Sequence, residues 1–424
     1  MKLKILTKKK SARLSYTLSL IFDERNIDWQ LITDVEDFKN ASRPKFSYQD
    51  LQTSPFNIKS STLLFEDEIR SYSIEKTEWN HCEILQFNGE ADILASIFYV
   101  ASLYDDYLQT TFDLHGRNVG KQSLLYRFGW LNQLVVERWC ECIIQWIEKQ
   151  NNCDLNAQKI PFSIIPTFDI DHAYAYKYRK KWREQLSKGK DLIQKNRIRL
   201  KERKAVLAGK IKDPFDTFDT IEKIAQEGFD VKVFWLLGKY SKFDRNIDVN
   251  HPKQVELIKR MSRITDIGLH PSYQSDKERH RLQKEKQILE NILNGKISHS
   301  RQHFLKVKMP STFQQLEKVG FTDDYSLSYA DEVGFRAGLS RPFLWFDLSK
   351  NSVSNLTLHP ISYMDGTLNE YMGLSISKAI EKVKEIKAEI QRYGGEFIPL
   401  WHNETIGNYG IWENWVEVLE ESLK

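Results

Sequence analysis

The chain has 424 residues, a formal net charge of +4, 41% hydrophobic residues and 12% aromatic residues. This length exceeds what one ordinary domain core holds, so the sequence predicts two domains. The composition is that of a globular protein, and no segment approaches the roughly 18 consecutive apolar residues that a membrane-spanning helix needs.

The N-terminal segment and the cysteines predict a cytoplasmic protein. The first ten residues are basic, but neither the apolar stretch nor the cleavage site of a signal peptide follows them. Cys140 and Cys142 fall in a predicted helix, where a disulfide bond between them is awkward, and Cys82 and Cys153 add no metal-binding spacing. We therefore expect four reduced thiols in the cytosol.

Residues 1–158 are predicted to form a smaller N-terminal α+β domain of unassigned function. Strand-like runs come first, helical patterns follow at 91–109 and 131–148, and a polar stretch at 149–159 marks the boundary. Nothing in this domain combines acids, histidines and glycines in a catalytic pattern.

Two short segments of the N-terminal domain carry polar side chains to which the sequence assigns no single role. These are Tyr104–Tyr107 and the loop around His115 and Arg117. We interpret His115 and Arg117 as loop residues. Both segments can pack against the second domain or close over its mouth, and the local sequence does not decide between these alternatives.

Residues 159–424 show the alternation of short apolar runs and amphipathic helices that is typical of an α/β fold. The predicted strands after the first are 231–237, 264–269, 297–305, 342–348 and 397–401. The helix predicted at 376–393 has its apolar residues on one stripe and ends at Gly394-Gly395. An α/β barrel or an open sheet follows from this pattern.

The segment 177–212 is predicted to be a basic helical insertion in this second domain. It contains 15 Lys or Arg residues against 3 acidic residues, with Trp182, Leu186, Ile193 and other apolar residues between them. Such a segment can lie peripherally on an anionic membrane, here the inner face. A solvated basic helix is the alternative, and nucleic acid is the least favoured partner.

The first apolar run of the second domain, 161–168, ends in two carboxylates, Asp169 and Asp171. Residues two apart in an extended segment point to the same face, so both acids can reach one pocket. In such a pair one carboxylate can bind a metal ion while the other accepts a proton. Asp residues are also common where a buried strand passes into a loop, which is the structural alternative.

Histidines and an arginine lie at the ends of three further predicted strands. These residues are His270, Arg301 with His303, and His402. Because functional residues of α/β folds gather where strands end, we expect a pocket there. Asp171 and His270 supply two donors for a divalent ion with zinc-like preferences. His303 is our candidate for the third ligand, with Gln274, His172 or water as alternatives.

From about residue 160 to 424 the sequence resembles the polysaccharide deacetylase family, preceded here by an additional N-terminal domain. The motifs that carry this likeness are Thr167–Asp171, the segment beginning at His270, Arg301, and Leu400-Trp401-His402. The resemblance implies a distorted, incomplete (β/α) barrel. It also implies a metal-dependent enzyme that removes acetyl groups from N-acetylated sugars, with zinc as the default metal.

The resemblance further implies roles for individual residues. Asp169 would be the general base, oriented by Arg301, and His402 the general acid. Asp171 and His270 would be metal ligands. The sequence departs from the family in two places: Gln274 stands where a second metal-binding His is usual, and His303-Phe304 stands near a position that usually reads Pro-Trp or Pro-Tyr.

Three further residues are predicted to contact the substrate. Arg336 is a candidate for binding an anionic part of it, while Trp345 and Trp401 are candidates for stacking on a sugar ring. Aromatic residues at this density are also typical of a hydrophobic core. Asp365, before a glycine, is equally a turn residue, and His359 has no partner that the sequence identifies.

We therefore expect a carbohydrate N-deacetylase that acts on polysaccharide, on lipopolysaccharide or capsule precursors, or on a lipid-linked sugar. Two alternatives stay open. The same apparatus can hydrolyse another amide. Since Gln274 replaces an expected ligand, the barrel can instead be a degenerate carbohydrate-binding or membrane-docking module.

Overall fold

The computed structural model describes residues 2–49, 56–275 and 278–424. The N-terminal part contains two small sheets. A three-stranded parallel sheet has the order β2-β1-β3, and a three-stranded antiparallel sheet has the order β4-β5-β6. The strands are β1 (Leu3–Thr7), β2 (Trp29–Ile32), β3 (Lys45–Tyr48), β4 (Ile74–Trp79), β5 (Cys82–Phe87) and β6 (Glu90–Ala91). The helices are α1 (Ala12–Phe22), α2 (Val35–Asn40), α3 (Ile93–Ala101), α4 (Tyr104–Leu108), α5 (Leu124–Arg127) and α6 (Val135–Asn151).

The two helical patterns of this part form helices with shifted bounds. The pattern at 91–109 is divided into α3 and α4 at Leu103, which has a positive φ of 58°. Helix α3 begins where the Asp92 carboxylate accepts a hydrogen bond from the Ala95 amide, a standard N-cap. Helix α6 extends the second pattern to Asn151, and its buried face lies against the N-terminal core.

The second part is built around a larger sheet. Its strands are β7 (Phe162–Ile164), β8 (Thr167–Ile170), β9 (Lys232–Leu236), β10 (Asp266–His270), β11 (His299–Ser300), β12 (Asp323–Leu327), β13 (Phe343–Asp347), β14 (Ser352–Pro360), β15 (Tyr363–Met364), β16 (Gly395–Phe397) and β17 (Pro399–His402). Its helices are α7 (Lys181–Ile193), α8 (Arg197–Leu207), α9 (Phe218–Gln226), α10 (Pro252–Met261), α11 (Arg279–Leu293), α12 (Ser311–Val319), α13 (Ile376–Tyr393) and α14 (Val416–Leu423).

Nine of these strands form a curled half-barrel with the order β13-β14-β12-β11-β10-β9-β8-β17-β15. All neighbours are parallel except β13 and β14. Central strands such as β8 and β9 are buried along their whole length, as expected of parallel strands covered on both faces. The α/β class is therefore confirmed, with the sheet open between β13 and β15 among the described residues.

Helix α13 has the predicted bounds, because its apolar period is regular. Ala379, Val383, Ile386 and Ile390 are buried on one face, and Gly394 ends the helix with a φ of 83°. Two helices, α7 and α8, occupy the basic segment between β8 and α9. None of the helices in the described part of the chain is long and apolar enough to cross a membrane.

Three predicted strands differ from the structure. The run 297–305 contains only the two-residue β11 and then a helical turn at His303–Leu305, where Phe304 and Leu305 have positive φ angles that a strand does not adopt. The run 342–348 contains β13, which is antiparallel at the sheet edge. The run 397–401 is divided into β16, which pairs with β7 in a separate sheet, and β17.

The N-terminal part and the larger sheet share one hydrophobic core. Tyr16 of α1 packs on Phe346 of β13 with ring centroids 5.1 Å apart. Buried ion pairs also cross between the two parts: Arg336 Nε donates to Asp106 at 2.9 Å, and Arg341 Nε donates to Glu137 at 2.8 Å. The N-terminal residues are thus packed directly against the half-barrel.

Candidate active site

Four of the predicted site residues lie at or near the carboxyl ends of parallel strands of the half-barrel. Asp169 at the end of β8 is in register with His402, the last residue of β17. His270 is the last residue of β10, and Arg301 follows the neighbouring β11. Pro166 lies between β7 and β8, so the backbone is irregular just before the acids, as the sequence predicts.

Asp171, His270 and His303 come together as a group that can hold a metal ion. One potential ligand atom from each lies within 4.8 Å of the others. His270 Nε2 is 3.2 Å from Asp171 Oδ1, and His303 Nε2 is 3.2 Å from Asp171 Oδ2. Both imidazoles are buried, and the carboxylate lines the cleft.

The hydrogen bonds of His270 leave one nitrogen available as a ligand. Nδ1 lies 2.6 Å from the carbonyl oxygen of Arg301, so we assign the proton to Nδ1, which donates it there. His270 Nε2 and Asp171 Oδ1 have no hydrogen-bond partner among the described residues, although they face each other. Two buried acceptors that converge without bonding fit a shared cation.

His303 is held by a second carboxylate that the sequence analysis missed. Its Nδ1 lies 3.1 Å from Asp244 Oδ1, and Asp244 accepts hydrogen bonds from Ser241 Oγ and from the Tyr273 amide. A carboxylate behind a histidine is the usual support of a metal-binding imidazole. Asp244 lies in the irregular segment after β9, where no periodicity signals a role.

The charges around His303 favour its protonated form. Burial opposes the charge, but Asp171 and Asp244 raise the pKa of His303 to about 9. Burial likewise opposes ionisation of Asp171, whose pKa is held well below its ordinary value by His303 and His270. A divalent cation at this position would compete with the proton on His303, so metal affinity should depend on pH.

Asp169 and Arg301 form a buried ion pair beside this group. Arg301 Nη1 donates to Asp169 Oδ1 at 3.0 Å, while Nη2 donates to Thr167 Oγ1 and Nε to the carbonyl oxygen of Tyr325. The structure has one direct hydrogen bond to the carboxylate, because the other donors of the guanidinium bind β8 and β12.

His402 also lines the cleft and is held by Asp365. Its Nδ1 lies 2.9 Å from Asp365 Oδ1, and its amide donates to Asp365 Oδ2 at 2.8 Å. Burial opposes protonation, but Asp365, with Asp171 and Asp169, raises the pKa of His402 well above its ordinary value. This environment favours the protonated imidazole, and Asp365 binds His402 as well as preceding the turn at Gly366.

The cleft has a volume of about 350 Å³, which suits a small ligand or one sugar unit. Its lining includes Asp171, His303 and His402 together with Phe304, Tyr371 and Trp412. Arg117 of the N-terminal part also lines it. The loop around Arg117 therefore reaches the mouth of the half-barrel, whereas Tyr104 is buried in the shared core.

The three predicted substrate-binding residues do not line the cleft. Arg336 is buried in its ion pair with Asp106. Trp345 is fully buried against Phe313, and Trp401 is fully buried with its indole N–H donating to Tyr363 Oη. Sequence position at a strand end did not distinguish these core side chains from side chains that face the pocket.

The two alternative protein ligands of the metal also lie outside the group. Gln274 is exposed. His172 lines the cleft but its Nδ1 is 2.7 Å from Glu404, in a pair separate from Asp171. Of the candidates for a third ligand, His303 is the one whose nitrogen the structure places beside Asp171.

Residues 3–152 match a family of unknown function, DUF7033. No curated protein sequence matches the chain. Among solved structures, a Mycobacterium smegmatis protein assigned as a polysaccharide deacetylase is similar at 16% identity and a TM-score of 0.39, with 63% of this chain and 89% of that one covered.

Two further structures show the same kind of likeness. The polysaccharide deacetylase Bc1974 from Bacillus cereus is 11% identical with a TM-score of 0.30, and the match covers 63% of this chain and 87% of that one. Puue allantoinase is 10% identical with a TM-score of 0.36, and the match covers 62% and 84%. At these values the likenesses do not assign an activity.

Proposed function

We propose that the chain is a metal-dependent hydrolase that removes the acetyl group from an N-acetylated sugar, releasing acetate. The observation that carries the proposal is the arrangement around the cleft. An Asp/His/His group with two converging, unbonded acceptors lies at the cleft, and His402, an imidazole whose pKa is raised, lines the same cleft. Hydrolysis of an amide needs both an electrophile at the carbonyl and an acid for the departing amine.

Asp171, His270 and His303 would hold the divalent ion. One carboxylate and two imidazoles are donors that zinc accepts, leaving positions open for substrate and water; they equally suit other divalent transition metals. When bound, such a cation supplies a Lewis acid that stabilises negative charge on the acetyl oxygen. Zinc remains the prediction for its identity.

Asp169 would act as general base. Its carboxylate pairs with the buried Arg301 guanidinium, which fixes the orientation of the carboxylate. In the reaction a water oxygen bonds to the acetyl carbon while Asp169 takes the water's proton. The amide C–N bond breaks in the following step.

His402 would give the proton that the departing nitrogen needs. Its Nδ1 is occupied by Asp365, so Nε2 is the end of the imidazolium that can serve the cleft. Transfer from Nε2 to the sugar nitrogen leaves a neutral imidazole, acetate and an amino sugar. Asp365 stabilises the charged imidazole before the transfer and holds the remaining proton on Nδ1 afterwards.

The proposal is tested with purified full-length protein, its metal content and acetate release from a panel of N-acetyl sugars and non-sugar amides. We expect about one divalent ion per chain, loss of that ion in His270→Ala, and acetate release that stops when the metal is stripped. Full activity after stripping would contradict the proposal. Turnover of non-sugar amides alone would assign a different substrate, and glycan binding that survives Asp169→Asn in a metal-free protein would indicate a binding module.

A further inference from the structure

Helix α7 carries an apolar stripe that faces solvent. Trp182, Leu186 and Ile193 have 53%, 66% and 85% of their surface exposed. Their spacings of four and seven residues place them on one side of the helix, and the small Gly189 lies between them. Together these side chains line a shallow apolar groove along α7. We call these three residues the α7 stripe.

The surroundings of the α7 stripe are strongly basic. The segment 177–212 has an excess of 12 positive charges in a chain whose total is +4. One of its three acids, Asp191, is buried and paired with Arg203 and Arg199, so its charge is not presented outward. Exposed lysines flank the stripe, among them Lys181, Lys188 and Lys190.

Helix α7 is fixed to the mouth of the candidate active site. Buried Arg183 of α7 donates through Nη1 to the carbonyl oxygen of Asn246 and through Nη2 to that of Arg245. Its guanidinium also lies 3.9 Å from the ring centroid of Tyr240. Lys242 and Arg245 of the same loop line the cleft. A surface that α7 contacts is therefore brought close to the cleft mouth.

We propose that the α7 stripe docks on a lipid bilayer that contains anionic lipids. Apolar side chains of a basic helix enter the headgroup region while the lysines bind lipid phosphates. Nucleic acid would leave the stripe in water. A symmetric dimer through this face would place one basic segment against its copy, at an electrostatic cost. Docking does not depend on the proposed hydrolase activity.

Co-sedimentation of the full chain with two kinds of vesicle tests this. We expect binding to phosphatidylcholine vesicles containing phosphatidylglycerol to be at least about ten-fold tighter than to phosphatidylcholine alone, and to weaken with salt. A Leu186→Ser/Ile193→Ser variant should bind about ten-fold more weakly. A Leu344→Ser/Val353→Ser variant, altered at exposed apolar residues of β13 and β14, should bind like the wild type.

Three results would overturn the docking proposal. The first is equal binding to both kinds of vesicle, or no binding to either. The second is undiminished binding of the Leu186→Ser/Ile193→Ser variant. The third is a dimer in sedimentation that this variant disrupts, which would assign the α7 stripe to a second copy of the chain.

A separate observation concerns the turn that carries His303. Phe304 has φ 62° and ψ 14°, and Leu305 has φ 52°. Non-glycine residues with large side chains rarely adopt this left-handed conformation, which surrounding contacts must hold in place. The position of His303 depends on that turn.

Arg117 of the N-terminal part supplies such a contact. It is buried, and its Nη1 donates to the carbonyl oxygen of Phe304 at 2.7 Å while Nη2 donates to Tyr371 Oη at 3.0 Å. Asp113 accepts from Arg117 Nε at 2.7 Å, and the His115 ring packs against Phe304 with centroids 4.8 Å apart. Arg117 and His115 of the 113–117 loop therefore both contact the turn at Phe304, and Asp113 holds Arg117 in place.

We infer that Arg117 is a positioning residue for the metal ligand His303, and that the region matching the family of unknown function completes the metal site. The inference rests on the proposed function only in requiring that a metal binds. Loss of the guanidinium frees the Phe304 carbonyl, so the turn relaxes and His303 Nε2 moves away from Asp171. The effect should appear in metal affinity before any reaction is measured.

Zn²⁺ affinity, measured by competition with a chelator, and the visible absorption of Co²⁺-loaded protein test this inference. We expect Arg117→Ala to bind Zn²⁺ about ten-fold or more weakly with an altered Co²⁺ spectrum, and Arg117→Lys to show a smaller change. The matched control is Asp106→Asn, which breaks the buried pair with Arg336 between the same two parts. It should lower stability and leave both metal readouts unchanged.

Wild-type affinity in Arg117→Ala would overturn the positioning role alone, and so would an equal loss of affinity in Asp106→Asn. A wild-type protein that binds no Zn²⁺ or Co²⁺ would overturn the proposed function as well. The two failures are therefore distinguishable.

Discussion

Two histidines that line the cleft are each backed by an aspartate, but the two pairs differ in what faces the second nitrogen. Asp244 binds Nδ1 of His303, and Nε2 lies 3.2 Å from Asp171. Asp365 binds Nδ1 of His402, which leaves Nε2 for the cleft. The same imidazole support can therefore build a metal ligand or a proton donor, depending on the neighbour of Nε2.

Replacing the ligand histidine should have the largest effect. His303→Ala removes a nitrogen from the Asp/His/His group, so the protein should lose the proposed divalent ion and about a thousand-fold or more of the proposed deacetylase rate. Metal analysis together with acetate release measures both quantities. A variant that keeps the ion at full affinity would remove His303 from the ligand set.

Replacing His402, the other histidine, should reduce the rate without releasing metal. His402→Ala deletes the proposed proton donor, which typically contributes about a hundred-fold or more. We expect kcat to fall while the bound ion stays at the wild-type level. Equal loss of metal in His402→Ala and His303→Ala would mean that both histidines contribute to metal binding.

Replacing the aspartate behind each histidine should distinguish the roles of His303 and His402 more finely. Asp244→Asn should weaken metal binding by about ten- to hundred-fold, because the carboxylate that supports His303 is lost. Asp365→Asn should leave affinity intact and lower the pKa of His402. Because the protonated form of His402 is active, the alkaline limb of the kcat profile should move to lower pH. Unchanged profiles in Asp365→Asn would contradict the role of that pair.

Replacing a third histidine, His359, should have the smallest effect and serves as a control for the comparison of His303 with His402. His359 contacts Glu396 through Nδ1 and Asp323 through Nε2, each at 3.0 Å, beside the N-terminal end of β12 and away from the cleft. Burial opposes its charge, but the two carboxylates raise its pKa above the ordinary value. No second histidine joins it in a potential metal group among the described residues.

His359 should therefore affect stability alone. Its contribution of about 1 kcal/mol is fully present below the unfolded-state pKa, about 6.5, and is lost as pH rises through the higher folded-state pKa. Denaturant unfolding of His359→Gln should differ most from wild type near pH 6 and converge with it at alkaline pH. His299→Gln is the control, because burial lowers the pKa of His299 and the pH slope should have the opposite sign.

The strand ends that hold the site could be predicted because each one follows a regular apolar run. Asp171, His270 and His402 were all placed by that logic, and α13 by its helical period. Asp244 and Arg117 could not be found this way, since both lie in irregular segments whose position depends on tertiary contacts. Trp345 and Trp401 were predicted to contact the substrate but are buried in the core. An aromatic residue in a strand gives the same sequence pattern whether it faces the core or the cleft.

Anomalous diffraction from crystals of the full chain grown with Zn²⁺ tests the central claim most directly. We expect one strong peak within about 2.0 to 2.3 Å of Asp171, His270 Nε2 and His303 Nε2. A peak held by other residues, or no peak at this group in protein with occupied zinc elsewhere, would contradict it.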